Sequence, residues 1–195
     1  GVEDIPGAAL SEGIDWNWET FPEYLDALEE MPRVMDIATQ VPHGSVRAYV
    51  MGERGARNEE PTPDDLVEMA KIVQEGIEAG ALGFTSSRTM LHRALDGEPV
   101  PGTFAGADEL IAMGKAVAEA GGGVVEVASD IGLGGLEGNF GSDIDWMREL
   151  ASEYGLTVTY ALNQSDNHPQ QWRDLLELSS APVEGDGKVI AQVAG

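Results

Sequence analysis

Apolar positions recur along this chain in two alternating periods. Leu66, Met69, Ala70, Val73 and Ile77 fall at i, i+3, i+4, i+7 and i+11, the spacing of one helix face. Thr62-Pro63-Asp64-Asp65 precedes them, with a capping hydroxyl, a proline for the first turn and acids for the positive end of the dipole. Gly80 closes the run, and the apolar strand signal Leu82-Gly83-Phe84 begins at once. The order then repeats. Leu110, Ile111, Gly114, Val117 and Ala118 lead through Gly121 to Val124-Val-Glu-Val-Ala128. Ser142 can cap a helix over 143–154, which ends at Gly155 before the strand Thr157-Val-Thr-Tyr-Ala-Leu162. A fourth helix over 169–178 precedes a loop and Val189-Ile-Ala-Gln-Val193.

The first third is less regular. Residues 1–15 are rich in glycine, proline and acids and read as a surface arm. Thr20 caps a helix with Pro22 in its first turn, Pro32 stops it, and Trp16, Trp18 and Phe21 are expected to pack it down. Met35 to Val41 alternates weakly, as a strand does, and runs into Pro42-His43-Gly44-Ser45, a turn expected to expose its histidine. Residues 46–51 suit a short strand or a helical turn, and 52–61 read as a charged loop.

Five strands, near 35–41, 82–87, 124–129, 157–163 and 189–194, thus alternate with helices in a single α/β domain over 1–195. That alternation predicts a parallel sheet with helical crossovers. It is either an open doubly wound sheet or part of a TIM-type (β/α)8 barrel, which takes ~250 residues when complete. No Gly-x-Gly-x-x-Gly follows the first strand and no Gly-Lys-Ser/Thr occurs, which disfavours the nucleotide-binding versions.

Composition narrows the partners. Over 195 residues 42% are hydrophobic, enough to bury a core, while 11 basic against 35 acidic residues give a formal charge of −24. Such a surface repels phosphate backbones, so no nucleic-acid partner is expected. The acids are scattered, as on a solvated face, rather than gathered into a tail. Cysteine is absent, which removes disulfides, thiolate ligands and a cysteine nucleophile. No apolar stretch approaches the ~18 residues of a membrane span, so no membrane partner is expected. The start lacks the basic and apolar regions of a signal peptide, and the expected location is the cytoplasm. Gly1 in place of Met suits a processed product or an excised piece.

Chemistry concentrates where strands end, as it does in parallel α/β folds. The run 81–103 releases Thr85, Ser86, Ser87, Arg88 and His92 before turns at Asp96-Gly97 and Pro99-Val-Pro-Gly102. Arg88 could take a substrate carboxylate in its guanidinium fork or pair with a structural acid. His92 could be an acid/base, an orienter or a surface histidine. Ser87 stands beside them, and His43 between Pro42 and Gly44 is either a further substrate contact or a residue bonded to a neighbouring loop. His168, before Pro169, suits a capping or surface role. Glu126 interrupts an apolar strand, and a carboxylate facing into a barrel must be paired, protonated or metal-bound. It is the first acid to test for catalysis, with Asp130 second; an ion pair with Arg88 is the structural alternative. No His-x-His or His-Glu-x-x-His occurs, so no metal ligands are identified. A Ser-His-Asp set could be assembled from the rim, but no Gly-x-Ser-x-Gly elbow accompanies it.

Four stretches in order, 1–7, Val41-Pro-His-Gly-Ser-Val-Arg47, 78–89 and Asp96-Gly-Glu-Pro-Val-Pro-Gly-Thr103, resemble the N-acyl-D-amino-acid deacylase (D-aminoacylase) branch of the amidohydrolase superfamily. The resemblance implies a metal-dependent hydrolase, with zinc as cofactor, that removes the acyl group from a D-amino acid's nitrogen. It also implies that this chain covers the middle of the barrel. The family's His-x-His, bridging cysteine and late aspartate would lie outside it. The family's histidines after the strands at 124–129 and 157–163 are replaced here by Ser129-Asp130 and Asn163-Gln164, so no metal ligand carries over. Either metal is bound differently, through Glu126 or Asp130, or the activity has drifted. The expectation is a fragment with an incomplete site for a small N-acyl amino acid substrate. The alternative is a non-catalytic module of the same fold that binds small anions near Arg88 and His92. Exposed barrel edges would favour self-association.

Overall fold

Capping threonines and terminal glycines set the frame on which the sheet is wound. The computed structural model describes residues 5–129 and 140–193. Helix α5 (Pro63–Glu78) opens with a full capping box: Thr62 Oγ1 accepts from the Asp65 amide, and the Asp65 carboxylate accepts from the Thr62 amide at 2.8 Å. Gly80 beyond its end takes φ +116°, a value costly for a residue with a Cβ, and strand β2 (Gly83–Arg88) follows. The pattern continues with α6 (Ala107–Glu119), β3 (Val124–Ser129), α7 (Phe140–Tyr154), β4 (Thr157–Ala161), α8 (Gln171–Ser180) and β5 (Lys188–Gln192). Ahead of them lie α1 (Gly7–Gly13), α2 (Phe21–Glu30), β1 (Val41–Pro42), α3 (His43–Met51) and α4 (Glu53–Ala56).

The five strands form one parallel sheet in the order β1-β2-β3-β4-β5. A doubly wound sheet must reverse its direction of growth at a switch point. This order never reverses, so right-handed crossovers place α5, α6, α7 and α8 on one face. Phe84, Val125, Val127, Val158 and Tyr160 point into that face and are buried against Met69, Val73, Leu110, Met113, Val117, Met147 and Leu150. Burying a side chain of this size contributes roughly 1.5–3 kcal/mol. Arg148 of α7 ties the helix layer together by donating to the carbonyls of Leu178, Ala181 and Pro182 at the end of α8. The opposite face carries Thr85, Ser87, Glu126 and Ala128, all half-buried. It has no helix over it among the described residues. None of the helices there is long and apolar enough to cross a membrane.

The structure departs from the sequence expectations in the first third. The alternation at 35–41 is not a strand over its length: only Val41 and Pro42 pair with β2, extended by one bond from the Leu82 amide to the Thr39 carbonyl. A ladder needs a neighbour, and β2 begins too late to offer one to Met35 and Ile37, which stay exposed. Residues 43–51 form a helix because His43, Val46, Arg47 and Met51, at i, i+3, i+4 and i+8, are its buried face. Two of those four are polar, so an apolar count misses the period. The charged loop at 52–61 contains the single turn α4, and the arm contains α1, which buries no residue. Helix α7 begins at Phe140 rather than at the Ser142 cap, and α8 begins at Gln171.

Candidate active site at the carboxyl end of the sheet

Consecutive serines of β2 project to opposite faces of the sheet, and each meets a histidine. Ser86 points into the helix layer, where its Oγ lies 2.8 Å from Nδ1 of His43. His43 Nε2 lies 2.8 Å from Glu109 Oε1, and the other carboxylate oxygen of Glu109 accepts from Arg47 at 3.1 Å. A carboxylate can only accept, so Nε2 carries a proton and donates it to Glu109, while Nδ1 is bonded to the Ser86 hydroxyl. Arg47 also donates to the Glu59 carbonyl. This set has the members of a Ser-His-acid triad, but Ser86, His43 and Glu109 are 3%, 1% and 3% exposed. No substrate reaches them, and both ring nitrogens of His43 are occupied. The sequence places His43 in an exposed turn; instead it opens α3 and anchors the helix layer under β2.

Ser87 turns the other way. Its Oγ lies 2.6 Å from Nδ1 of His92, both residues are half-buried, and among the described residues nothing bonds His92 Nε2. His92 stands on a loop held at many points. Arg93 bridges antiparallel to Pro99, the Val100 amide donates to the His92 carbonyl, and Arg93 donates to the Met90 and Gly97 carbonyls. The returning arm, 98–105, is strapped to the body. Asn58, at φ +58°, donates to the carbonyls of Pro99 and Val100 and accepts from the Gly102 amide at 2.8 Å. Gly102 takes φ +95° and lies flat on the buried imidazole; a Cβ there would sit 2.8 Å from His43 Nδ1. The strap reaches β2 again through Arg88, which donates to the Ala105 carbonyl.

Arg88 is committed further. It pairs with Asp143 of α7 at 3.1 Å, with the two side chains 14% and 16% exposed, and Asp143 also accepts from Trp146 Nε1. The arginine's partner is therefore Asp143 and not Glu126. Its Nε is buried and has no bonding partner among the described residues. Glu126 sits in the middle of β3, opposite Thr85 and Thr159 in register, half-buried on the open face, with no hydrogen bond or ion pair to a described residue. Asp130 lies outside the described residues. Farther along the rim, Asn163 donates to the Ser129 carbonyl and Ser129 to that of Ala161. His168 is exposed in a turn closed by its amide on the Ser165 carbonyl.

The structure thus brings Ser87, His92 and Arg88 to one end of β2, with Ser87 and His92 on the open face above Glu126, which the sheet separates from His43, and with Arg88 turned to the helix side, where Asp143 holds it. Glu109, Asn58 and Asp143 were not singled out from the sequence. Glu109 had a signal, because it lies four residues before Met113 and seven before Ala116 on the buried face of α6. Asn58 had none, since its role depends on a strap far along the chain. A cleft of about 600 Å³ lies elsewhere, lined by Trp18, Phe21, Tyr24, Tyr49 and Lys71 between α2, α3 and α5. None of the candidate residues named above lines it, so the chemistry of the rim and this cleft do not coincide.

A metal is a poor fit to these residues. Among the described residues no group of three or more His, Asp or Glu could hold one. His43 has both nitrogens occupied, His92 has one occupied, and Glu126 stands alone. Zinc, implied by the resemblance, finds no ligand set among the described residues.

Comparison with known proteins supplies the frame. The sequence pattern of the amidohydrolase family matches residues 6–194. A D-aminoacylase from Alcaligenes xylosoxydans is 34% identical over 79 residues, covering 40% of this chain and 15% of its own. An uncharacterised protein of Mycobacterium tuberculosis is 32% identical over 113 residues, covering 53% of this chain and 18% of its own. Among solved structures, a D-aminoacylase superposes with a TM-score of 0.67 at 19% identity, covering 97% of this chain and 37% of that one. The N-acyl-D-glutamate deacylase of Bordetella bronchiseptica, solved with zinc and a phosphonate inhibitor, superposes with a TM-score of 0.64 at 18% identity, covering 97% and 38%. The chain therefore spans well under half the length of these relatives, and its five parallel strands match the (β/α) barrel they share. The family match over nearly the whole chain, on a sheet of this winding, shows that the chain belongs to the amidohydrolase family.

Proposed function

We propose that this chain forms the substrate-side wall of an amidohydrolase site for the acyl amide of an N-acyl-D-amino acid, and that by itself it lacks the metal half of that site. The observation that carries this reading is the placement of Ser87 and His92, paired at 2.6 Å and half-buried, at the carboxyl end of β2 on the uncovered face. Active sites of this architecture lie at that end. The D-aminoacylase relative supplies the substrate class.

In this reading His92 offers its free Nε2 to the substrate amide or carboxylate, and Ser87 fixes the ring that carries it. Arg88 binds the rim together through Ala105 and Asp143; it meets a substrate carboxylate only by exchanging Asp143 for it. Glu126 lines the floor as a carboxylate with no partner among the described residues. It favours a cationic or hydrogen-donating group of the substrate or of another barrel element. Asp130, next along the chain, is the second acid assigned to the site. His43 supports from behind the sheet. Nothing in the described residues supplies a metal-activated water, and no step is assigned to one.

The test is a binding and turnover experiment on the purified chain. N-acetyl-D-amino acids should perturb His92 in a proton NMR titration, lose that effect in His92→Gln, and remain unhydrolysed, with no stoichiometric zinc by metal analysis. Turnover together with stoichiometric zinc would overturn the incomplete-site reading. Absence of any His92-dependent binding would remove the substrate-side assignment.

A further inference from the structure

We infer that Ser87 and His92 form a nucleophile–base pair that accepts an acyl group from activated esters without any metal. This goes beyond the proposed amidohydrolase reading, since it needs neither an N-acyl-D-amino acid nor a metal ion.

The geometry meets the requirements in order. A serine becomes nucleophilic when a base lies within hydrogen-bond reach, about 2.6–3.2 Å, and Ser87 Oγ is 2.6 Å from His92 Nδ1. Both residues are half-buried, so a small ester reaches the oxygen while the imidazole stays ordered. The loop carrying His92 is fixed by the Arg93–Pro99 bridge and by Asn58 and Arg88 on its returning arm, so the pair is held before a substrate arrives. Ser86 offers a built-in contrast. It too meets a histidine, at 2.8 Å, and that histidine has a carboxylate partner, but the set is sealed under the sheet. Reactivity is therefore assigned to the accessible pair and withheld from the more complete one.

The step balances as ordinary acyl transfer. Ser87 Oγ attacks the ester carbonyl carbon, and its proton passes to His92 Nδ1. The carbon–oxygen bond to the leaving phenol breaks, and the phenolate departs with the bonding pair. An acyl–serine ester remains, and the imidazolium returns its proton to solvent. Water then attacks that ester with His92 as base, releasing the carboxylic acid and restoring Ser87. No described residue bonds Nε2 as the aspartate of a triad would bond its histidine, so deacylation is slow and the acyl–serine accumulates.

The experiment uses the 195-residue chain, p-nitrophenyl acetate and excess EDTA. A burst of p-nitrophenolate near one equivalent is expected, with one acetyl group on the intact protein that peptide mapping places on Ser87. Ser87→Ala should abolish the burst, and His92→Gln should slow it roughly 100-fold, the lower part of the range for a positioned general base. An acetyl group mapped to another residue, or no adduct, overturns the inference. So does a burst unchanged in Ser87→Ala of native circular dichroism and melting. If a variant fails to fold, mapping on the unaltered chain alone decides. Failure here leaves N-acyl-D-amino acid binding intact, and failure of that binding leaves this result intact.

Discussion

Glu109 holds two groups at once, and removing it strands both. Arg47 is 1% exposed, and its guanidinium has the Glu109 carboxylate and the Glu59 carbonyl as partners. Truncating one member of a buried pair leaves an uncompensated charge and costs about 3–5 kcal/mol, far more than the intact pair contributes. Glu109→Ala should therefore lower stability by about that amount in urea unfolding, while Glu109→Gln, which still accepts from Arg47, should cost less. Equal and small losses in both would mean that Arg47 finds other partners. Gly102 tests the same network from above. Its φ of +95° and the 2.8 Å approach to His43 Nδ1 leave no room for a methyl group. Gly102→Ala should destabilise by more than about 1 kcal/mol, with the loss read in the same urea titration. It should also loosen the strap that carries Ala105 to Arg88. Asp65 gives a residue-scale signature in pH. The Thr62 amide, and then Arg54 beside it, hold its carboxyl below the usual carboxylate range. A carboxyl depressed on folding contributes stability that is present above its unfolded value of about 3.9 and is lost as pH falls through the folded one. Thermal melts from pH 6 downward should fall less steeply at the acid end in Asp65→Asn than in the parent chain. Parallel curves would show that Asp65 carries none of the acid sensitivity.

Elements divide into those whose cause is local and those whose cause is not. The capping box at Thr62, the box at Thr20 and the positive-φ glycines Gly80, Gly121 and Gly155 are written in adjacent residues. For that reason the helix–glycine–strand units over 62–192 are legible within a few residues of their ends. Strand β1 and helix α3 are not legible in that way. The first depends on where β2 starts, and the second on burying a histidine and an arginine against a glutamate far along the chain. The candidate site divides similarly. Strand alternation puts Ser86 and Ser87 on opposite faces, which a sequence shows. Which histidine each serine meets depends on α3 and on the strap, which a sequence does not show. Whether the sheet is doubly wound or one arc of a barrel rests on strand order, a property with no local signal. At this scale the Thr62 cap is the direct check. Thr62→Ala removes the acceptor for the Asp65 amide and should cost about 1 kcal/mol in urea unfolding. It should also remove part of the Asp65 effect, since the Thr62 hydroxyl donates to the same carboxylate at 2.8 Å. Additive losses in Thr62→Ala/Asp65→Asn would contradict the coupling.

The whole molecule sets an open sheet against a large charge. Parallel sheets are ordinarily covered on both faces, and here only the helix side is covered among the described residues. Among the described residues strand β5 has no neighbour on its outer side, and Ile190 and Val193 are 43% and 73% exposed there. Such an edge with an apolar residue on the uncovered face is a surface for a second copy to pair with. The formal charge of −24 opposes that contact, because two copies repel over the distance that ions leave unscreened. That distance is about 10 Å at 0.1 M salt and about 3 Å at 1 M, so salt removes the repulsion and leaves the apolar contribution intact. The expected outcome is a monomer by light scattering at low salt and a rising average mass as sodium chloride is added. Ile190→Lys should hold the chain monomeric to higher salt, since it puts a charge on the uncovered face without touching the helix-side core. Salt should also raise the melting temperature of the monomer at dilutions where no association occurs, through relief of the same repulsion within one chain. One mass across the whole salt range would show that the edge is protected by something other than charge. Association unchanged in Ile190→Lys would place the contact away from β5.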